Sequence, residues 1–140
     1  MAAALTLNQI VSQASLEIGI TLAPVSAVTG SSDNDIVQMA SLLAAVADEV
    51  LLDQPYIDTL GDGVWVVGSD GTQKAFPSAD DDIILFDGRL AIDGLKFRFL
   101  QAKGLEFGEQ MRDYINRQNK LAGRAVGRVI DLDVDAGRVQ

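Results

Sequence analysis

The sequence predicts a mainly α fold: a helical bundle of about four helices with a β-hairpin arm and an extended C-terminal tail. Three observations predict it. Apolar residues recur at helical spacing through four stretches separated by Gly-, Pro- or Asp-rich breaks. A short valine run between two Gly/Asp turns interrupts them. The final residues alternate between acidic and apolar, the period of a strand with one dry face.

The first helix is marked by Thr6-Leu7-Asn8-Gln9, a capping box in which the threonine hydroxyl and the glutamine side chain satisfy orphan N–H groups. Leu7, Ile10, Val11, Ala14 and Ile18 share one face, and Gly19 can supply a left-handed C-cap. Residues 21–31 form a loop whose apolar Leu22, Val25 and Val28 predict packing against the body. Ser32 or Asp33 can cap a second helix, with Asp35 near the positive end of its dipole. Ile36, Met39, Ala40, Leu43, Ala47, Val50 and Leu51 hold helical spacing until about Asp53, where Pro55 restricts Gln54.

Gly61-Asp62-Gly63 and Gly68-Ser69-Asp70-Gly71 are turns around strand-like Val64–Val67, and Thr72–Phe76 pairs back as the second arm of a hairpin. Two strands alone are marginal in water, so the hairpin must lean on helices or on another subunit, with Trp65 and Val67 as its contact residues. Pro77 to Asp82 is expected to open a third helix, with three acids at its positive end and Ile83, Phe86, Leu90, Phe97 and Leu100 along one stripe. Gly94 implies either a break or a close approach of helices, because a helical glycine costs about 1 kcal/mol against alanine. Beyond Gly104 a fourth helix carries Phe107, Met111, Tyr114, Ile115, Gln118 and Leu121 to an end at Gly123. Residues 124–140 hold too little apolar material for a core of their own.

Composition narrows the function. Hydrophobic residues make up 48% of the 140-residue chain, enough for one cored domain, and Cys and His are both absent. Thiol catalysis, disulfides, Cys/His zinc sites and a Ser-His triad within one chain are thereby excluded. No basic leader precedes an apolar core at the N-terminus, and no run reaches the roughly 18 apolar residues of a bilayer span, so neither a signal peptide nor a membrane partner is expected. The net charge of −9 argues against gripping nucleic acid through phosphates. Its distribution says more: residues 1–73 contain no Lys or Arg and nine acids, whereas residues 74–140 hold 11 bases and 11 acids. Two halves of complementary potential suit a head-to-tail ring, whose contacting patches differ. Asp48, Glu49 and Asp53 on one copy are then expected to face Arg112, Arg117 and Lys120 on the next.

Chemistry finds little purchase. Asp131, Asp133 and Asp135 imitate the start of a calcium loop, but Ala136 stands where the loop needs glycine, so no metal is expected. A carboxylate-based cell-wall hydrolase using Asp80 or Asp82 with Glu106 or Glu109 can be drawn, but nothing fixes the spacing that two-carboxylate chemistry demands. No phosphate-binding loop occurs, no cofactor is expected, and the chain reads as a non-enzyme. The alternating tail would leave strand N–H and C=O groups unpaired unless it adds to the sheet edge of a partner.

The opening Leu5-Thr6-Leu7 through Glu17-Ile18-Gly19, the Pro24 loop and Ser32-Asp33 before a long Ala/Leu helix resemble the head-to-tail adaptor proteins of tailed bacteriophages, the tail accessory factor family. A more specific likeness lies in Phe76-Pro77-Ser78-Ala79-Asp80-Asp81-Asp82, then Leu90 to Phe99, then Gln101-Ala102-Lys103-Gly104-Leu105-Glu106-Phe107 with Tyr114 downstream. Together these cover most of residues 5–122, with order and spacing carrying the weight. Asp53-Gln54-Pro55 departs from the family's common Asp-Trp-Pro, and the stretch 56–76 is shorter than in many relatives.

The resemblance implies a structural virion protein without cofactor. Its residues 1–123 would form the adaptor domain, with the hairpin arm at about 56–77, and residues 124–140 a portal-docking tail. Such proteins form a ring, usually of twelve copies, under the portal; the ring extends the DNA channel without specific binding and receives the next tail or neck protein. Arg124, Arg128, Val129, Ile130, Leu132 and Val134 would then contact the portal. The location implied is the virion neck, after assembly in host cytoplasm. A tail-completion or stopper-type ring lower in the neck is the alternative within this class.

Overall fold

The computed structural model describes residues 5–21, 27–53 (51–53 for backbone only) and 64–121. The tail residues Arg124, Arg128, Val129, Ile130, Leu132 and Val134, the Gly61-Asp62-Gly63 turn and the Asp53 side chain lie outside the described residues.

The fold is mainly α. Strand β1 (Leu5–Thr6) leads directly into α1 (Leu7–Glu17), and α2 (Asn34–Asp53) follows the loop. Strands β2 (Val66–Val67), β3 (Gln73–Lys74) and β4 (Ile83–Ile84) precede α3 (Gly88–Ala102), and α4 occupies residues 108–121. The predicted capping box is present: Thr6 N donates to Gln9 Oε1 at 2.9 Å and Gln9 N donates to Thr6 Oγ1 at 3.2 Å. Gly19 takes the expected positive φ, and Asp33 is the residue that caps α2, accepting from Asp35 N at 2.9 Å. Leu7, Ile10, Val11 and Ala14 of α1 and Ile36, Met39, Leu43, Val46, Ala47 and Val50 of α2 are buried together, the faces their spacing assigned.

Around Asp80 to Asp82 the structure departs from expectation. Helix α3 begins at Gly88, where Asp87 caps it by accepting from Leu90 N, and the Pro77–Asp82 stretch is a turn. Ile83 and Ile84 are a strand because β-branched residues suit a buried sheet position. β4 lies between β1 and β2, giving an antiparallel sheet in the order β1-β4-β2-β3, with Leu5 opposite Ile84 and Val66 opposite both Ile84 and Lys74. The predicted hairpin therefore forms, but β2 is an inner strand and not part of a projecting arm. Trp65 is 3% exposed and its ring sits 6.2 Å from that of Phe86. It belongs to the core, which removes it as an arm contact. Val67 is partly buried in the same sheet.

Asp80 ties the Pro77–Asp82 turn to the loop before α2, and Asp82 closes that turn onto β3. Asp80 accepts from Val28 N at 2.9 Å, Thr29 N at 2.7 Å and Thr29 Oγ1 at 2.6 Å, fixing the loop before α2. Asp82, 1% exposed, accepts from Ser78 N, Ala79 N and Lys74 Nζ. Burial pushes both carboxyls up, and these hydrogen bonds outweigh it, so both titrate below the usual aspartate range.

Helices α2 and α3 run in opposite senses, with Asp35 against Lys103 at one end and Val46 beside Gly94 further along. A Cβ on Gly94 would lie 2.8 Å from Tyr114 Cε1 and 2.9 Å from Val46 Cγ1. Of the two readings of this glycine, close helix approach is the correct one, and α3 is continuous through it.

Candidate interaction surface

The charges that stand apart in sequence meet inside the chain. Glu17 of α1 accepts from Arg89 at 2.6 and 2.7 Å and from Lys96 at 2.7 Å, both on α3, and Arg89 also reaches Asp93 at 2.8 Å. The Arg89 guanidinium, with Lys96 and Gln13 adding to it against the effect of burial, holds the Glu17 carboxyl down to about 2. Asp93 and Lys96 are themselves buried. Arg117 of α4 makes a two-pronged contact with Asp87 at 2.8 Å, and that pairing raises its pKa further. Glu49 of α2 takes Arg98 of α3 on one oxygen and the Tyr114 hydroxyl of α4 on the other, the latter at 2.7 Å.

Two residues expected at a subunit interface are thus engaged within the chain: Glu49 binds Arg98 and Tyr114, and Arg117 binds Asp87. Pairing of first-half acids with second-half bases occurs, but much of it ties α1 and α2 onto α3. The other interface candidates are placed differently. Asp48, Arg112 and Lys120 are exposed, and none makes an ion pair with another described residue.

α4 carries the surface of most interest. Tyr114 is its one fully buried side chain, with ring centroid 5.1 Å from that of Phe97, while Phe107 before the helix and Leu121 at its end are half-buried. Met111 and Ile115, one helical turn apart, stay 39% and 40% exposed, and Leu105 just before the helix is 55% exposed. An expected apolar stripe is therefore only partly used: the Tyr114 edge packs down and the Met111–Ile115 edge faces outward beside Arg112. The Glu49, Asp87, Lys96 and Arg98 pairings were missed from sequence. Their one signal was the placing of Asp93, Lys96 and Arg98 among residues of an apolar stripe.

An open depression of about 300 Å³ lies between α3 and α4, bounded by Arg89, Asp93, Asp113, Asn116, Arg117 and Lys120. Arg89 and Arg117 are already committed to carboxylates there. The hydrolase alternative finds no support in geometry either. Asp80 and Asp82 are spent on backbone N–H groups and titrate low, the reverse of what a general acid needs. Glu106 and Glu109 are exposed, and Glu106 accepts from Gly108 N at 3.1 Å. Among the described residues no cluster of carboxylates could hold a metal ion, and no helix is long and apolar enough to cross a membrane.

Comparison with protein-family models, with curated proteins and with solved structures finds no match.

Proposed function

We propose that this chain is a structural ring subunit of a phage neck, a head-to-tail adaptor that seats under the portal and receives the tail. The observation that carries the interaction reading is the outer edge of α4, where Met111 and Ile115 lie exposed beside Arg112, which makes no ion pair with another described residue, on a chain of net charge −9. Exposed apolar side chains grouped with a charge mark a contact surface more often than scattered ones do. The choice of assembly rests on the resemblance of residues 76–107, in order and spacing, to the tail accessory factor family. In this reading the subunit needs neither cofactor nor metal, because its work is to hold surfaces together. An acidic excess suits the wall of a DNA channel, since a surface that does not pair with phosphates lets the duplex slide.

Residues 124–140 supply the portal contact in this proposal, through Arg124 and Arg128 and the apolar Val129, Ile130, Leu132 and Val134. Co-sedimentation with isolated portal rings tests it. The full chain is expected to pellet with portal, and a chain ending at Gly123 to remain in the supernatant with unchanged circular dichroism. Pelleting of the shortened chain overturns the tail assignment. Failure of the full chain to bind portal, with capture by a tail-side ring instead, favours the stopper-type position.

A further inference from the structure

We infer that the outer edge of α4 on one copy is covered by the outer stripe of α2 on the next, with Arg112 set against Asp48. This rests on the ring reading above and names the surfaces that would build the ring. α2 buries Ile36, Met39, Leu43, Val46, Ala47 and Val50, which leaves Val37, Ser41 and Asp48 along the outer side at helical spacing, with Ala44 on its flank packed in part against the core. Val37 is 47% exposed, Ser41 and Asp48 are exposed, and Ala44 is partly so. Small residues at 41 and 44 let another helix come close, as they do wherever helices approach tightly. The Ser41 hydroxyl already donates to Val37 O at 3.1 Å, so covering it strands no polar group.

The α4 edge is the counterpart in shape and charge. Met111 and Ile115 stand one turn apart and can straddle the low stripe at Ser41 and Ala44. Among the described acid side chains of α2, Asp35 and Glu49 are each paired internally and Asp48 is not, and Arg112 of α4 likewise makes no ion pair with a described residue. An acid and a base without an ion pair among the described residues therefore sit on two different apolar-edged helix faces. Two different faces in contact make a heterologous interface, which propagates from copy to copy and closes when the rotation permits.

The absence of cysteine makes the test clean. Full-length Ser41→Cys, Ile115→Cys and the double variant are oxidised and run without reductant, and particle mass is measured in parallel by mass photometry. The expected result is a covalent ladder for the double variant only, with Ile115→Asp lowering the assembled fraction about tenfold. Large particles without a ladder overturn this pairing while leaving the ring intact. A ladder from Ile115→Cys alone means the face meets itself, and also overturns it. Protection of the residue-115 thiol only when portal is added assigns the face to portal instead. A chain that stays monomeric with and without portal removes the ring reading and this inference together.

Discussion

Gly94→Ala is the perturbation that tests the packing most sharply, because two opposing effects can be weighed from the structure. In an open helix the change would stabilise by about 1 kcal/mol, since glycine costs more backbone entropy. Here the added methyl would lie 2.8 Å from Tyr114 Cε1, 3.1 Å from Tyr114 Cδ1 and 2.9 Å from Val46 Cγ1, all buried neighbours with no open side to retreat into. Overpacking of this kind costs about 1–3 kcal/mol. Displacing Tyr114 also threatens the bond from its hydroxyl to Glu49, and hydrogen bonds to charged partners contribute about 1.5–3 kcal/mol. The net expectation is a loss of about 1–3 kcal/mol. Urea unfolding followed by tryptophan fluorescence reads this through Trp65, which is buried against Phe86. With an m-value of about 1–3 kcal/mol/M, the midpoint should fall by roughly 1 M at unchanged slope. Because Val46 supplies part of the clash, Val46→Ala combined with Gly94→Ala should cost less than the two singles added together. A midpoint that stays put or rises for Gly94→Ala would refute the close three-helix contact.

Asp82→Ala should destabilise by about 1–3 kcal/mol per stranded N–H, since Ser78 and Ala79 both donate to it, whereas exposed Asp81→Ala should stay within about 0.5 kcal/mol in the same urea assay. Thr6→Ala removes the capping box of α1 and should cost about 1 kcal/mol, read as a lower thermal midpoint. Acid should unfold the protein in a defined window. Glu17 falls from 4.5 to about 2 on folding, so its contribution is complete above 4.5 and is lost as pH drops toward 2; Asp80 and Asp82, also lowered, act in the same direction. Glu17→Gln should flatten this loss between pH 4.5 and 2, and an unchanged acid transition would contradict the pairing with Arg89 and Lys96.

Local signals were legible in the sequence because local physics produces them. The Thr6–Gln9 capping box, the positive-φ Gly19, the hairpin turn at 68–71 and the apolar faces of α1 and α2 each depend on residues only a few positions apart. The miss at Asp80 to Ile84 has the opposite origin. Three acids before apolar residues read equally well as a helix start or as a turn, and the decision belongs to β1 and Val28–Thr29, more than fifty residues upstream. The same holds for charge. Glu17 finds Arg89 across 72 positions and Lys96 across 79, so a segregation that suggested contacts between copies is partly consumed within one. What was legible of the candidate surface is the residue set of α4. Which edge of it faces out was not, because Tyr114 and Ile115 are neighbours in sequence and the choice between them is made by the gap at Gly94.

The most direct test of the adaptor proposal is electron microscopy of the purified protein mixed with isolated portal rings. The account predicts a second ring of this chain stacked coaxially on one end of the portal, about twelve subunits as the family resemblance implies. Bare portals beside dispersed monomers, at concentrations well above those of assembly in an infected cell, would contradict it.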